Sequence, residues 1–198
     1  GYVYGLKVAA SLLQSSKERY ALVIGSEQIS TRLDMEDRNT CVLFGDGAGA
    51  TVIELKEGTE LYSVWGSEGL SDVLGCTGQN MGKAHIFMDG QKTFKNAVKR
   101  MGSAAAEVLE QSGYTMDDID YVVCHQANER IIDAVVKRMD IPEEKVVKVI
   151  ARYGNTSAAS IPITLDDMYE QGMLEKGNRI LLATFGAGFT WASMIVEI

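Results

Sequence analysis

Arg179-Ile-Leu-Leu-Ala-Thr-Phe-Gly-Ala-Gly-Phe-Thr-Trp191 is the stretch whose reading decides the fold. Arg179–Phe185 is an apolar run of strand length, Gly186-Ala187-Gly188 turns it, and Thr190–Glu197 leaves as a second strand. A helix over Ile161–Met173, entered through Thr156–Ser160, precedes the pair. The opening of the chain has the same order. A helix over Tyr4–Ser15 is followed by a strand at Tyr20–Ile24, and a second strand at Cys41–Phe44 runs into Gly45-Asp46-Gly47-Ala48-Gly49. Ala50–Leu55 leaves as a further strand, and its Val52-Ile53-Glu54 echoes Ile195-Val196-Glu197. This order reads as an internal duplication whose first copy is the shorter.

Between the two copies lie a strand at Leu61–Trp65 and a loop from Gly66 to Gly90, of a length that is more often functional than idle. An amphipathic helix follows over Thr93–Gln111, with Phe94, Val98, Met101, Ala105, Val108 and Leu109 on one face. Then come a buried strand at Tyr121–Cys124, a helix at Ala127–Met139 and a strand at Lys145–Ile150. Alternating strands and helices predict an α/β protein with a mostly parallel sheet covered on both faces, and function at the carboxyl ends of its strands. The organisation is expected to divide into 1–56, the end of a first half; 57–90, a strand and connecting loop; and 91–198, a second half.

The chain has 198 residues, 46% of them apolar, and a formal net charge of −8. That charge argues against non-specific nucleic-acid binding, which needs a basic footprint. No apolar run has the length of a bilayer-spanning helix, and the first residues do not read as a secretory leader. Three cysteines without a CxxC point to a reducing, cytoplasmic setting. No cysteine stands at metal-ligand spacing from His85 or His125. The spacing of Gly45, Gly47 and Gly49 precedes a strand rather than a helix, so it reads as a close turn between strands and not as a dinucleotide site.

His125 follows the strand Tyr121–Cys124 and precedes a helix, whose positive end favours neutral imidazole. It reads equally as an oxyanion donor or as a structural cap of that turn. Cys124, its neighbour, points to the opposite face of the strand and so into the core. Asn155, in Gly154-Asn155-Thr156-Ser157, reads as turn and N-cap chemistry. Its place beyond a strand end also allows an amide donor to a developing oxyanion. Lys95 and Lys99 pair on one helix; Arg130, Lys137 and Arg138 share a face of the next. Solvated helix faces are the ordinary reading, and steering of an acidic partner is the alternative.

Three ordered motifs carry a resemblance over the whole chain: His125-Gln126-Ala127-Asn128-Glu129-Arg130, Gly154-Asn155-Thr156-Ser157-Ala158-Ala159-Ser160-Ile161-Pro162 and Phe185-Gly186-Ala187-Gly188-Phe189-Thr190-Trp191. With Asp37-Arg38, Leu43-Phe44-Gly45-Asp46-Gly47-Ala48-Gly49-Ala50 and Phe94-Lys95, they resemble the beta-ketoacyl-acyl-carrier-protein synthase III family. The resemblance implies a thiolase-like fold built from duplicated α-β-α-β-α layers, with the second half complete and the first truncated. It implies a Cys-His-Asn triad in which His125 and Asn155 supply the last two members. Gly1-Tyr2 resembles the end of the family's cysteine motif, so the nucleophile is expected two positions before Gly1; Cys41, Cys76 and Cys124 do not match it.

The implied reaction joins acyl-CoA to malonyl-ACP with loss of CO₂. The N–H of Ala187 serves an oxyanion hole, Phe185 stands over the malonyl site, and Gly90 and Asn128 contact pantetheine. Lys95, Arg130, Lys137 and Arg138 dock the acyl-carrier protein. No metal and no cofactor is implied, acyl-CoA being a substrate. A homodimer is expected, with the preceding segment either continuous or a separate chain. A specialised quinolone or polyketide-starter synthase and an inactive carrier-binding fragment are the alternatives.

Overall fold

Alternate side chains of β7 (Arg179–Gly186) separate two cores. Ile180 and Leu182 point one way, while Leu181, Ala183 and Phe185 point the other. The same period of two divides Val123 from Val122 and Cys124 in β6 (Tyr121–Cys124), and Ala192 and Met194 from Ile195 in β8 (Thr190–Glu197). A strand that is apolar on both faces must be covered on both, and here each face receives helices. The computed structural model describes residues 1–56, 58, 60–77 and 85–198.

The four-stranded sheet has the order β3-β8-β7-β6, with β3 at Ser63–Ser67. One face is covered by α2 (Gly90–Ser112) and α3 (Glu129–Met139), through Met101, Ala105, Val108, Ile132 and Val135. The other face meets α1 (Tyr2–Ser15) and α5 (Ser160–Glu170), which contribute Val3, Leu6, Ile161 and Met168. Beyond these two helices lies a two-stranded sheet of β1 (Tyr20–Glu27) and β2 (Gly47–Glu54), attached through Val23. The far face of that sheet is open: Tyr20, Leu22, Ile24 and Val52 are 53–65% exposed. The order helix–strand–strand occurs twice, as α1-β1-β2 and α5-β7-β8, and both strand pairs are antiparallel.

The mostly parallel sheet expected from the sequence is not observed. Within the four-stranded sheet, β6 and β7 alone are parallel; β8 is antiparallel to both its neighbours. A three-residue link between β7 and β8 dictates the antiparallel return, whereas α3 and α5 supply the long crossover that a parallel pair needs.

Two expected strands are also absent. Cys41–Phe44 forms turns, because Asp37 holds the segment locally. Its carboxylate accepts from the Asn39 N–H (3.0 Å) and the Thr40 hydroxyl (2.8 Å), and its carbonyl accepts from Cys41 N (3.0 Å). At its end only Phe44 bridges, to Asn155. Lys145–Ile150 contributes a single bridge, Val146 to Val122, before a short helix α4 (Ile150–Tyr153).

Gly47 and Gly49 lie inside β2 rather than in a turn. A Cβ on Gly49 would stand 2.9 Å from Pro162 and 3.0 Å from the Ile163 nitrogen, so the absent side chain lets β2 press against α5. The long loop expected over Gly66–Gly90 carries a hairpin of β4 (Leu74–Cys76) and β5 (Ile86–Met88). Residues 78–84 of that loop, with 57 and 59, lie outside the described residues. Phe94, placed on the buried face of α2 by periodicity, is 38% exposed and lines a cavity instead.

Candidate active site

A cavity of about 990 Å³ opens where β6 and β7 end and where α1 and α3 begin. Gly1, Tyr2, His125, Asn128, Asn155, Phe185 and Ala187 line it. The β4–β5 hairpin closes one side through Leu74, Cys76, Ile86 and Met88, and Gly90 and Phe94 lead from it into α2. Convergence at the carboxyl ends of β6 and β7 follows from their parallel pairing, which sends both strands toward the same rim.

His125 continues β6 by one residue, its N–H donating to Ala183 O at 2.8 Å. The ring is held on two sides. Nδ1 lies 2.6 Å from Ser160 Oγ, and the ring meets Phe185 edge-on at 5.5 Å, with Phe185 stacked on Phe189 at 5.4 Å. Ser160 Oγ accepts from the Gln126 N–H (3.3 Å). The described hydrogen bonds give the Ser160 hydroxyl proton no acceptor other than Nδ1; with Ser160 donating there, the imidazole proton lies on Nε2. Burial lowers the His125 pKa to about 4. The ring is therefore neutral near pH 7, with one N–H to offer.

The depressed pKa also sets a pH dependence. Unfolded histidine titrates near 6.5. As pH falls from there toward about 4, the unfolded chain takes up a proton that the folded chain refuses, so stability falls through this window and not below it. The full difference is on the order of 3 kcal/mol. Denaturant midpoints from pH 7 to pH 4 are expected to fall more steeply for the wild type than for His125→Ala; parallel slopes would remove the assignment.

Asn155 is held by backbone and side chain together. Its N–H donates to Leu43 O (2.9 Å) and its carbonyl accepts from Gly45 N (2.9 Å), fastening it to the segment before β2. Oδ1 accepts from Ser157 N at 2.9 Å, the turn chemistry expected from the sequence. That bond commits the oxygen, and the amide's donating end is the one available to the cavity. Asp167, 8% exposed, braces α4 from α5: it accepts from Arg152 at 2.5 Å and from the Tyr153 hydroxyl at 3.1 Å.

The other residues singled out from sequence divide. Asn128 caps α3, its side chain accepting from Arg130 N at 3.0 Å, and Arg130 reaches the cavity rim. Lys95, Lys137 and Arg138 are exposed on α2 and α3, away from the cavity lining. Cys124 is fully buried, and burial pushes its thiol up to about 12, which withholds the thiolate a nucleophile needs. Cys41 is partly buried; Cys76 is exposed on β4 at the cavity. The pairing of Ser160 with His125 and the hairpin strands are not legible in the sequence. Ser160 stands 35 positions from its partner, and three-residue strands give almost no periodic signal.

The layered architecture is thiolase-like. A crystal structure of 3-oxoacyl-[acyl-carrier-protein] synthase III from Aquifex aeolicus superposes with a TM-score of 0.92 at 42% identity, covering all of this chain and 64% of the other. The priming beta-ketosynthase of the R1128 polyketide pathway gives a TM-score of 0.94 at 33% identity, covering all of this chain and 63% of the other. Residues 1–69 match the family profile of 3-oxoacyl-[acyl-carrier-protein] synthase III, and residues 109–198 match the profile of that synthase's C-terminal part. The curated beta-ketoacyl-[acyl-carrier-protein] synthase III of Caldanaerobacter subterraneus is 45% identical over the whole of this chain, which spans 64% of that relative's length. The chain belongs to the beta-ketoacyl-acyl-carrier-protein synthase III family.

Proposed function

We propose that this chain forms the decarboxylating part of a condensing enzyme in which a cysteine takes a short acyl group from acyl-CoA, releasing CoA, and the acyl group is then joined to malonyl-ACP to give 3-oxoacyl-ACP and CO₂. The observation that carries the reading is the pair His125 and Asn155 on one cavity rim. The first is a neutral imidazole that offers Nε2–H when Ser160 donates to Nδ1, and the second offers an amide N–H. Loss of CO₂ from a malonyl thioester leaves negative charge on the thioester oxygen. Two pre-set donors stabilise that enolate without reorganising. The enolate carbon then attacks the acyl group on the nucleophilic cysteine, and the Ala187 N–H serves the second oxyanion.

None of the three cysteines present suits the nucleophile. Cys124 is buried in the core, and Cys41 and Cys76 lie outside the family motif. We assign that role to a cysteine two positions before Gly1, and Gly1 lines the cavity at the start of α1. Phe185 shapes the malonyl site, Gly90 and Asn128 border the pantetheine path, and Lys95, Arg130, Lys137 and Arg138 form the carrier-protein face. The reaction is placed in the cytoplasm and the working enzyme is a homodimer.

The test incubates the full-length protein with acetyl-CoA and malonyl-ACP and identifies the product by mass spectrometry. 3-Oxobutyryl-ACP with stoichiometric CO₂ is the expected result; absence of both sinks the proposal. A second reading, a starter synthase of a specialised pathway, draws on the likeness to the R1128 priming ketosynthase. Preference for a starter other than acetyl in the same assay would favour it.

A further inference from the structure

We propose that Gln126 is a positioning residue that sets His125 and Asn155 relative to each other, an inference that rests on the roles given to those two residues above. Gln126 is 1% exposed and does not line the cavity, so it acts through its neighbours.

Its side-chain amide behaves as a detached peptide group. Nε2 donates to Cys124 O at 2.8 Å and to Val147 O at 3.3 Å, and Oε1 accepts from Val149 N at 2.9 Å. After the single bridge at Val146, and the Val147 N–H bond to Val122 O (3.2 Å), the chain leaves the sheet. Val147 O and Val149 N then require partners in the interior, where an unpaired group is costly. Gln126 supplies both from one side chain, one donor and one acceptor, as a neighbouring strand would.

The consequence reaches both proposed donors. On one side, Gln126 follows His125 in the chain, and its N–H holds Ser160 Oγ, the group that orients the imidazole. On the other, Val149 is the residue from which α4 starts, and α4 ends one residue before Gly154-Asn155. The amide therefore joins the end of β6 to the root of the Asn155 turn. A displacement near 1 Å at such a constellation slows chemistry by about 10²-fold.

The test is a double-mutant cycle on the full-length protein, read as kcat and KM for decarboxylation of a malonyl thioester. Gln126→Met keeps the volume and removes both kinds of bond. It is expected to lower kcat about 10- to 100-fold with KM changed less than about two-fold, and to have little further effect in an Asn155→Ala background. Gln126→Glu, which keeps an acceptor for Val149 N but loses the donors, carries the same comparison should the methionine variant fail to fold. Unchanged kcat, a raised KM at unchanged kcat, or losses that simply add to those of Asn155→Ala would each overturn the proposal. His125→Ala and Asn155→Ala run alongside. If they leave decarboxylation intact, the reading of the two donors fails first and the proposal falls with it.

Discussion

Replacing His125 or Asn155 with alanine is expected to slow decarboxylation of a malonyl thioester by about 10²–10³-fold each, the usual effect of removing one oxyanion donor. The size follows from pre-organisation. Ser160 and the Phe185–Phe189 stack hold the imidazole, and Ser157 N holds the amide, so neither donor reorients during the reaction. Two controls separate loss of a donor from loss of a fold. Thermal unfolding should shift by only a few degrees in Asn155→Ala if the backbone bonds to Leu43 and Gly45 persist, since these use main-chain atoms. Ser160→Ala should give an intermediate loss, because Nε2 keeps its proton only as often as the unassisted tautomer allows. Retention of full decarboxylation in both alanine variants would remove these residues from the chemistry.

The second large effect is expected at Gly45. A Cβ there would stand 2.3 Å from Tyr153 O, a backbone atom with no flexible end to yield. Gly45 N also donates to Asn155 O, so relief of the clash must pull on the donor turn. Tyr153 cannot retreat freely, because its hydroxyl and the adjacent Arg152 are both bound to Asp167. Gly45→Ala should lower stability by about 1–3 kcal/mol, the ordinary consequence of overpacking, and cut kcat about 10²-fold through displacement of Asn155. Gly69→Ala is the matched control: its Cβ meets nothing within 4 Å. A chemical denaturation series with steady-state kinetics on both variants decides the matter; equal behaviour of the two would refute the steric account.

The duplicated order helix–strand–strand was readable because each element carries its own period. The 3.6-residue stripe in α2 and the unbroken apolar runs of β6 and β7 need no tertiary knowledge. Cys41–Phe44 and Lys145–Ile150 have the same apolar character, yet neither joins a sheet as a strand. In the first, Asp37 captures the nearby backbone; in the second, a single glutamine side chain takes the place of a neighbouring strand. Apolar content records burial, not pairing partner, so the two cases look alike until side-chain bonds are known. The mostly parallel expectation rests on element alternation alone, whereas the short Gly186–Gly188 turn between two apolar strands already implies an antiparallel return. In the site, the turn role of Asn155 and the inward turn of Cys124 followed from local rules. The bond from Ser160 to His125 did not, because it joins the start of α5 to the end of β6 across 35 positions.

The open outer face of the β1–β2 pair has a consequence for how the molecule breathes. In the 198-residue chain by itself, two strands supported from one side are marginal, and their amides should exchange with solvent through partial openings that leave β6 and β7 closed. Asn155 hangs by its backbone from Leu43 and Gly45, at the threshold of that less protected pair. Deuterium uptake around Gly45–Val52 would then report on the donor turn as well. Whatever covers Tyr20, Leu22, Ile24 and Val52 would slow that exchange and steady Asn155 from about the width of the sheet away, without touching the cavity.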